Sequence, residues 1–300
     1  MKKINLTQTF TLFKIAFKNW WRGDPVNESA IIAYNAIFSL PGLLVVVISI
    51  AGYFFGDDAV SGRLHSEVAL AMGPDTADEI QNIVMIANKS KDSVWATLMG
   101  IVVILVGATG VFVQLQKSLN TIWEVKSSKT KSGIWSFLRS RIFSFGLIIS
   151  IGFLLLISLV FSSVLSALGS WVTQQWSVSL LILFQILNII FSLAIITVLF
   201  ALMFKFLPDA KIKWRFVWIG AFFTSLLFVL GKTALGIYFG TAQPGSGYGA
   251  AGSLILILLW TSYSSMIVFY GAEFTKAYAD FQNEEILPSK NSNKIKITDR

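Results

Sequence analysis

Polar and ionisable side chains within apolar segments are the residues of this sequence that could do chemistry. Lys232 is the one Lys or Arg placed well inside an apolar segment, and Asn35 and Ser39 lie in another. Such groups are costly to expose to hydrocarbon, so they mark either a binding site or a polar contact between helices. An ammonium group beside amides and hydroxyls would suit an anionic group such as a lipid phosphate. The candidate substrate-binding residues are Lys232, Asn35, Ser39, Asn188, Tyr248 and Gly249.

Each of these positions also has a plainer interpretation. Asn35 could bond only to a neighbouring helix, as polar side chains in membrane proteins commonly do. Lys232 lies about six residues, roughly 9 Å, from the far end of its segment, so its ammonium could reach the headgroup region. The glycine-rich loop around Tyr248 could be a packed turn, or its free amides could hold an anion at a helix start. The sequence leaves both interpretations open at each position.

The residue types argue against catalysis. The chain has no Cys and a single His, His65, which excludes disulfides and thiolate chemistry and removes most metal chemistry. Serines in apolar segments, such as Ser158 and Ser162, have no positioned base beside them. A phosphate-binding loop of the GxxxxGK[ST] type is also absent from the sequence. We therefore expect no catalytic residue, no metal, no cofactor and no enzymatic activity.

The composition is typical of a membrane protein. Hydrophobic residues make up 55% of the chain and charged residues 13%, against about 25% charged in soluble domains. The mean hydropathy is +0.69. The sequence predicts an all-α, polytopic membrane protein whose transmembrane domain covers residues 30–275 as a six-helix bundle. The spans are predicted at about 30–55, 94–113, 142–168, 180–206, 216–239 and 254–272, each long enough for about 30 Å of hydrocarbon.

The segments outside the spans have distinct patterns. Residues 1–29 are predicted to contain a short amphipathic helix that lies on the membrane surface. Its apolar stripe is formed by Leu6, Phe10, Phe13, Phe17 and Trp20. Residues 56–93 form an acidic loop outside the cytoplasm, with a helix from Asp75 to Asn88. Residues 276–300 are polar and are expected to form a flexible cytoplasmic tail.

The distribution of basic residues predicts the orientation. Of the 24 Lys and Arg residues, all but Lys232 and three in the acidic loop fall in segments that six spans would place on one side. The positive-inside rule then puts both termini in the cytoplasm. Because the basic residues lie at membrane edges, their charge requires no nucleic acid partner. Glu273 ends the last span on this side, either as an interfacial carboxylate or as a partner of Lys205, Lys211, Lys213 and Arg215.

Several motifs together resemble the YihY/virulence factor BrkB family of bacterial inner-membrane proteins. They are AIIAYNAIFSLPG, LQKSLNTIWEV, FLPDAKIKW, YGAAGS, LLW and GAE, in that order. Asn35 departs from the family pattern, which more often has an aromatic or small residue there. Within these motifs we expect structural roles, such as a kink at Pro41 and a turn at Pro208 and Asp209. The candidate structural residues are Pro41, Asn120, Trp123, Pro208, Asp209, Trp260 and Glu273.

The resemblance implies a function in the inner membrane. It points to a transporter or exporter of a lipid or another anionic amphiphile, involved in envelope integrity, or to a non-transporting scaffold of an envelope complex. The expected partners are membrane lipids and other envelope proteins, and the oligomeric state is left open. The family has also been labelled ribonuclease BN. The residues do not support that activity, because metal-dependent RNA hydrolysis needs several His, Asp and Glu ligands around one site.

Overall fold

The computed structural model describes residues 5–39, 57–89, 110–127, 178–289 and 292–294, and this part of the chain is almost entirely helical. The helices in chain order are α1 (Leu6–Arg22), α2 (25–39), α3 (Asp57–Met72), α4 (Pro74–Lys89), α5 (110–122), α6 (Val178–Phe206), α7 (Trp214–Ala242) and α8 (Gly252–Phe281). Pro41, the predicted third span and most of the predicted second span lie outside the described residues.

Three described helices are long and apolar enough to cross a membrane. They are Ile186–Phe206 within α6, Trp214–Ala242 and Gly252–Phe281, which contain or overlap the last three predicted spans. α7 exposes Trp218, Phe222, Leu226 and Leu230 along one stripe, four residues apart. A stripe of this kind is unfavourable in water and suits hydrocarbon. The outer surface of the bundle is therefore that of a membrane protein.

α7 and α8 meet through a reciprocal contact between glycine and threonine. A Cβ at Gly220 would lie 1.8 Å from Thr275 Oγ1, and a Cβ at Gly271 would lie 1.8 Å from Thr224 Oγ1. Both threonines are fully buried, and each hydroxyl donates to the glycine carbonyl one turn earlier, at 2.7 Å. Each glycine thus makes room for a threonine of the other helix, and both hydroxyls are satisfied inside the contact.

α1 packs along α8 in the antiparallel direction. The Phe13 ring lies 5.1 Å from that of Phe274, whereas the Trp20 indole donates to the Met266 carbonyl at 3.0 Å. As the chain advances along α1, its contacts therefore move backwards along α8. This packing differs from a helix that only rests on the membrane surface, because one side of α1 is attached to a long apolar helix.

The predicted apolar stripe of α1 is divided by this packing. Of the stripe residues, Phe13 and Trp20 contact α8, whereas Phe10 is 72% exposed and Phe17 52% exposed. Leu12 and Ala16, which lie beside the stripe, are buried. α1 therefore has two apolar surfaces, one facing the protein and one facing outward. The stripe residues at helical spacing showed that the helix was amphipathic, but which of them meet α8 depends on tertiary contacts.

The C-terminal segment pairs with two earlier loops. β1 (Val125–Ser127) pairs antiparallel with β4 (Ser292–Lys294), and β2 (Ala210–Lys211) pairs antiparallel with β3 (Leu287–Pro288). We call the described residues after α8 the C-terminal clasp, and the end of the bundle where they lie the basic end. These paired strands differ from the flexible tail that was expected over residues 276–300. α8 continues to Phe281, and the clasp finds backbone partners in loops that are distant in sequence.

α3 and α4 form a helical hairpin that contacts α7 and α8. The two helices turn at Gly73, whose φ of +94° favours glycine. His65 Nε2 lies 2.7 Å from Asp78 Oδ1 across the hairpin. α4 agrees with the helix predicted from Asp75 to Asn88. α3 was not predicted, because its polar and apolar residues do not separate onto two faces.

Candidate functional site

The polar residues of α2 face a second polar helix, α5. Gln114 Nε2 donates to Glu28 Oε2 at 2.8 Å, and Ser118 Oγ lies 2.5 Å from the same carboxylate oxygen. Gln114 and Ser118 are one turn apart on α5 and are both buried. Glu28 is half-buried. We call these three residues the Glu28 cluster. It is an ionisable group held between two helices by two neutral donors.

Asn35 and Ser39 continue the polar side of α2. Asn35 Nδ2 donates to the Ile31 carbonyl at 2.8 Å, and a Cβ at Gly110 of α5 would lie 2.7 Å from Asn35 Oδ1. Ser39 is buried and donates to the Ala36 carbonyl. Asn35 therefore bonds within its own helix and packs against Gly110 of α5. Gly110 leaves the space that this contact needs.

The Glu28 cluster lies level with the interior of an apolar helix. Ser29, the next residue, is fully buried, and its Oγ lies 2.8 Å from Ser262 Oγ on α8. Ser262 is about ten residues, or about 15 Å, from the start of that 30-residue helix at Gly252. The bond between Ser29 and Ser262 therefore holds the start of α2 against the middle of α8.

The surroundings of the cluster contain few other charges. In the described ranges no salt bridge includes Glu28. Asp24, one turn earlier, bonds to Asn27, and Lys117 on α5 is exposed. No group of three His, Asp or Glu side chains that could hold a metal ion occurs in the described part of the chain. Among the described residues, Glu28 is therefore the one ionisable member of the cluster, and Gln114 and Ser118 are neutral.

Three of the seven predicted structural residues, Asn120, Pro208 and Asp209, meet at the basic end. Asn120 Nδ2 donates to Asp209 Oδ2 at 3.0 Å, and the Asp209 amide donates back to Asn120 Oδ1 at 2.8 Å. The Asp209 carbonyl accepts from the Ser289 amide and from Ser292 Oγ. Pro208 is buried beside them. This arrangement joins α5, the turn before α7 and the clasp.

Trp123 and Trp260 pack against phenylalanine rings. Trp123 is buried and its ring meets that of Phe204 edge-on at 5.9 Å, with its Nε1 lacking a hydrogen-bond partner in the described part of the chain. Trp260 is half-buried and meets Phe228 edge-on at 6.4 Å. Both indoles therefore contribute packing between helices.

Three of the basic residues expected near Glu273, namely Lys205, Lys213 and Arg215, form hydrogen bonds with other groups. Lys213 Nζ and Arg215 Nη2 bond to Glu284 at 2.6 and 2.7 Å, and Lys205 Nζ donates to the Ile212 carbonyl. The Lys213 hydrogen bond, with the charges of Lys213 and Arg215, lowers the pKa of Glu284 below its ordinary value. Glu273 itself is buried in α8. The sequence did not point to Glu284, because it lies in the segment expected to be flexible.

The remaining candidates lie toward the other end of the bundle. Lys232 is exposed on α7, Asn188 is half-buried on α6, and Tyr248 is 63% exposed. Tyr248 and Gly249 belong to a short 3-10 helix, Ser246–Ala251.

The two glycines at the ends of this loop are tightly packed. A Cβ at Gly252 would lie 2.6 Å from the Gly245 carbonyl oxygen, and a Cβ at Gly245 would lie 2.9 Å from the Gly252 carbonyl oxygen. These contacts favour the packed turn for Gly245 and Gly252. Gly247 instead faces open space.

Sequence reasoning missed Gln114 and Ser118 as site residues. Their spacing could have indicated a shared site, because Gln114 and Ser118 are four residues apart and therefore lie on one face of a helix. Glu28 and Asn35 are seven apart on α2 and share a face in the same way. Glu124 and Lys276 were also missed. They form a half-buried ion pair at 2.8 Å that links the end of α5 to α8.

The apolar helices and their exposed faces define a helical membrane protein. The chain belongs to the Virulence factor BrkB family, whose model matches residues 16–296. It is similar to UPF0761 membrane proteins of Saccharophagus degradans, with 27% identity over 84% of this chain, and of Pseudoalteromonas atlantica, with 28% identity over 91%. A relative in Mannheimia succiniciproducens is 23% identical over 94% of both proteins.

The relatives differ in length. The chain spans 56% of the Saccharophagus protein and 88% of the Pseudoalteromonas protein. No solved structure matches the chain.

Proposed function

We propose that this protein is a transporter of the bacterial inner membrane that moves a lipid or another anionic amphiphile and supports envelope integrity. In this proposal the chain crosses the membrane six times, has both termini in the cytoplasm and is not an enzyme. The observation that carries the proposal is the Glu28 cluster. Burying a carboxylate between two helices carries a desolvation cost, and joining helices does not by itself require one.

Lys232 supports the part of the proposal that concerns an anionic substrate. Its exposed position on α7 suits attraction of an anionic headgroup, because a lysine side chain can keep an apolar stem beside hydrocarbon and carry its charge to the headgroups. Membrane lipids are then both the surroundings and the substrate class. In the glycine-rich loop, we assign contact with the substrate only to Gly247 and Tyr248, because these two residues are exposed.

A scaffold of an envelope complex is the second candidate function. It is favoured by Asn35 and Ser39, whose side chains bond within α2, and by the contact of Asn35 with Gly110 of α5. Polar groups used in this way hold helices together without facing a substrate. The scaffold would bind other envelope proteins through α1 or the α3–α4 hairpin.

Reconstitution tests the two functions. Vesicles of phosphatidylethanolamine and phosphatidylglycerol, with a trace of fluorescent NBD-phosphatidylglycerol, would contain the purified full chain. We expect dithionite to quench more of the label than in protein-free vesicles, because the protein moves lipid between leaflets. Quenching equal to that of protein-free vesicles, from protein that remains folded, would favour the scaffold.

Lys232→Met and Lys232→Arg separate a substrate role from an anchoring role. The Met variant keeps an apolar stem and deletes the charge, so a substrate role predicts less co-purified anionic lipid with an unchanged melting temperature. The Arg variant keeps the charge and should retain the lipid. Mass spectrometry of bound lipid and a melting curve check both. Unaltered lipid together with lower stability in Lys232→Met would leave Lys232 as an anchor.

A further inference from the structure

We propose that the basic end carries a binding site for an anionic membrane phospholipid, in which Lys205 and Lys211 bind the phosphate and Trp214 and Trp218 contact the start of the acyl chains. The site is separate from Lys232, which lies about 27 Å further along α7 than Trp214, at roughly 1.5 Å per residue. Such a site needs only a protein that lies in a membrane, so it does not depend on the transport function proposed above.

An aromatic surface lies where the exposed stripe of α7 reaches the basic end. Trp214 begins α7 and stacks on Trp218 one turn later, with ring centroids 6.1 Å apart. Phe206, the last residue of α6, meets Trp214 edge-on at 5.9 Å. Each of these three residues is at least 42% exposed, so the described part of the protein leaves them open to the surroundings. We call these three residues the aromatic edge.

Lys205 holds an ammonium group beside the aromatic edge. Its Nζ lies 5.4 Å from the centroid of the Trp214 ring, a distance at which an indole attracts a cation. An ammonium group has three N–H donors, and the Ile212 carbonyl is its one hydrogen-bond acceptor among the described residues. Lys205 is half-buried. It therefore has donors left for the oxygens of a phosphate.

Lys211 is the second cation at this edge. It precedes Ile212, which accepts the Lys205 hydrogen bond, and its side chain is exposed. Its backbone position is fixed by the pairing of β2 with β3. Within the described residues no ion pair includes Lys211, and Asp209, two residues earlier, bonds to Asn120. The turn before α7 therefore presents two cations beside the indoles.

The next two cations along the chain are already engaged within the protein. Lys213 and Arg215 both bond to Glu284, and the Arg215 guanidinium lies 4.5 Å from the centroid of the Phe216 ring. Their charges are offset by this carboxylate. Lys205 and Lys211 therefore differ from the general excess of positive charge at the basic end, and we assign the selection of the lipid to these two residues.

An anionic phospholipid matches both parts of this surface. Indole rings favour the boundary between hydrocarbon and headgroups, and basic groups at the ends of apolar helices bind anionic headgroups. The exposed stripe continues from Trp218 to Leu230, so acyl chains attached to the bound phosphate have an apolar surface to lie on.

Other occupants match only one part of the surface. A soluble anion would satisfy the two lysines and leave the aromatic edge uncovered. A zwitterionic lipid such as phosphatidylethanolamine would cover the aromatic edge but bring its own ammonium group toward Lys205 and Lys211, which repel it. The combination of cations and aromatic rings therefore favours a lipid with net negative charge, such as phosphatidylglycerol.

Photocrosslinking at Phe222 tests the site directly. Phe222 is the next residue of the stripe after Trp218 and is 52% exposed, so benzoylphenylalanine in its place keeps both indoles. The full chain would be placed in nanodiscs with equal amounts of phosphatidylglycerol and phosphatidylethanolamine that have the same acyl chains. We expect mass spectrometry to find more phosphatidylglycerol than phosphatidylethanolamine among the cross-linked lipids. A ratio equal to that of the nanodisc would overturn the proposal.

Lysine variants assign the charge that selects the lipid. Lys211→Gln should lower the ratio of cross-linked phosphatidylglycerol to phosphatidylethanolamine about fivefold, the effect expected of one lysine near a charged surface. Lys117→Gln is the matched control, because it removes the same charge from an exposed lysine of α5, and it should leave the ratio unchanged. Equal losses in the two variants would indicate general attraction by basic charge and overturn the site.

Lys205 is tested by loss and restoration of its charge. Lys205→Gln should lower the ratio, and Lys205→Arg should restore it, because a guanidinium also lies favourably on an indole and binds phosphate. A low ratio in Lys205→Arg, from protein that melts like the wild type, would overturn the role of the Lys205 charge. Glycerol 3-phosphate added in solution should not lower the wild-type ratio. A lower ratio would assign the site to a soluble anion and overturn the lipid.

The far end of α7 keeps this site distinguishable from the one proposed around Lys232. With benzoylphenylalanine in place of Tyr238, an exposed aromatic residue near that end, Lys211→Gln should leave the ratio unchanged. Lys232→Met should likewise leave the ratio at Phe222 unchanged, and a fall there would overturn a separate site. Selective cross-linking at Phe222 by protein that moves no lipid in the fluorescent-lipid vesicles would support the site and count against the transport function alone.

Discussion

Gly220 and Gly271 set how closely α7 and α8 approach, because each leaves the space occupied by a threonine of the other helix. We expect Gly220→Ala to destabilise the protein by about 1–3 kcal/mol, the usual cost of adding a methyl group to a packed contact. A melting curve in detergent measures the change. Gly240 lies on the same helix with nothing within 4 Å of an added Cβ, so Gly240→Ala is the control. Equal melting temperatures for the two variants would contradict the close contact.

Glu284 provides a pH-dependent test at the basic end. Its lowered pKa in the folded state means that its ion pairs stabilise the fold above the ordinary glutamate value. This stabilisation is lost as the pH falls through the folded pKa. We expect Glu284→Gln to melt below wild type at neutral pH and with wild type in acid. The difference should also shrink in high salt, because Lys213 is exposed and Glu284 is partly open to solvent. A difference that persists in acid would assign the effect to packing.

The C-terminal clasp can be tested by cross-linking, because the chain has no cysteine. Lys126 and Asn293 are opposite each other in the β1–β4 pair, where Cα atoms lie about 4.5–5.5 Å apart and a disulfide can form. We expect Lys126→Cys with Asn293→Cys to form an intramolecular disulfide on mild oxidation, detected by peptide mass spectrometry. Lys126→Cys with Ser246→Cys, in the loop between α7 and α8, should not. Equal yields from both pairs would argue against the clasp.

The elements that the sequence predicted well are the long apolar helices. α6, α7 and α8 follow from continuous apolar length alone, which does not depend on their neighbours. The clasp could not be predicted, because its strands are two or three residues long and their partners are loops far away in sequence. Such pairing is specified by the fold that brings the loops together.

The candidate site was predictable only where it depends on local sequence periodicity. Glu28 and Asn35 share a face by helical periodicity, so a polar side of α2 was evident. The identity of the opposing helix was not, because Gln114 and Ser118 meet Glu28 only through tertiary packing. Likewise, periodicity in α1 identified an amphipathic helix but not the burial of Leu12 and Ala16 against its neighbours.

At the scale of the whole molecule, the orientation in the membrane is a prediction from charge. The positive-inside rule places Lys211 and Arg300 in the cytoplasm and the α3–α4 hairpin outside. We expect a membrane-impermeant maleimide to label Gly62→Cys in intact cells and to label Lys211→Cys only after lysis. Gly62 is suitable because it is exposed and an added side chain meets open space. A reporter fused after Arg300 should be cytoplasmic. Labelling of Lys211→Cys in intact cells would overturn the six-span orientation.

The pairing of β1 with β4 also orders events during synthesis. Val125 emerges from the ribosome long before Lys294, and more than half of the chain separates these two partners. β1 and β2 are therefore synthesised before α8, whereas their partners β4 and β3 are synthesised after it. A chain truncated before residue 287 would therefore contain every described helix and still lack the strand partners of both loops.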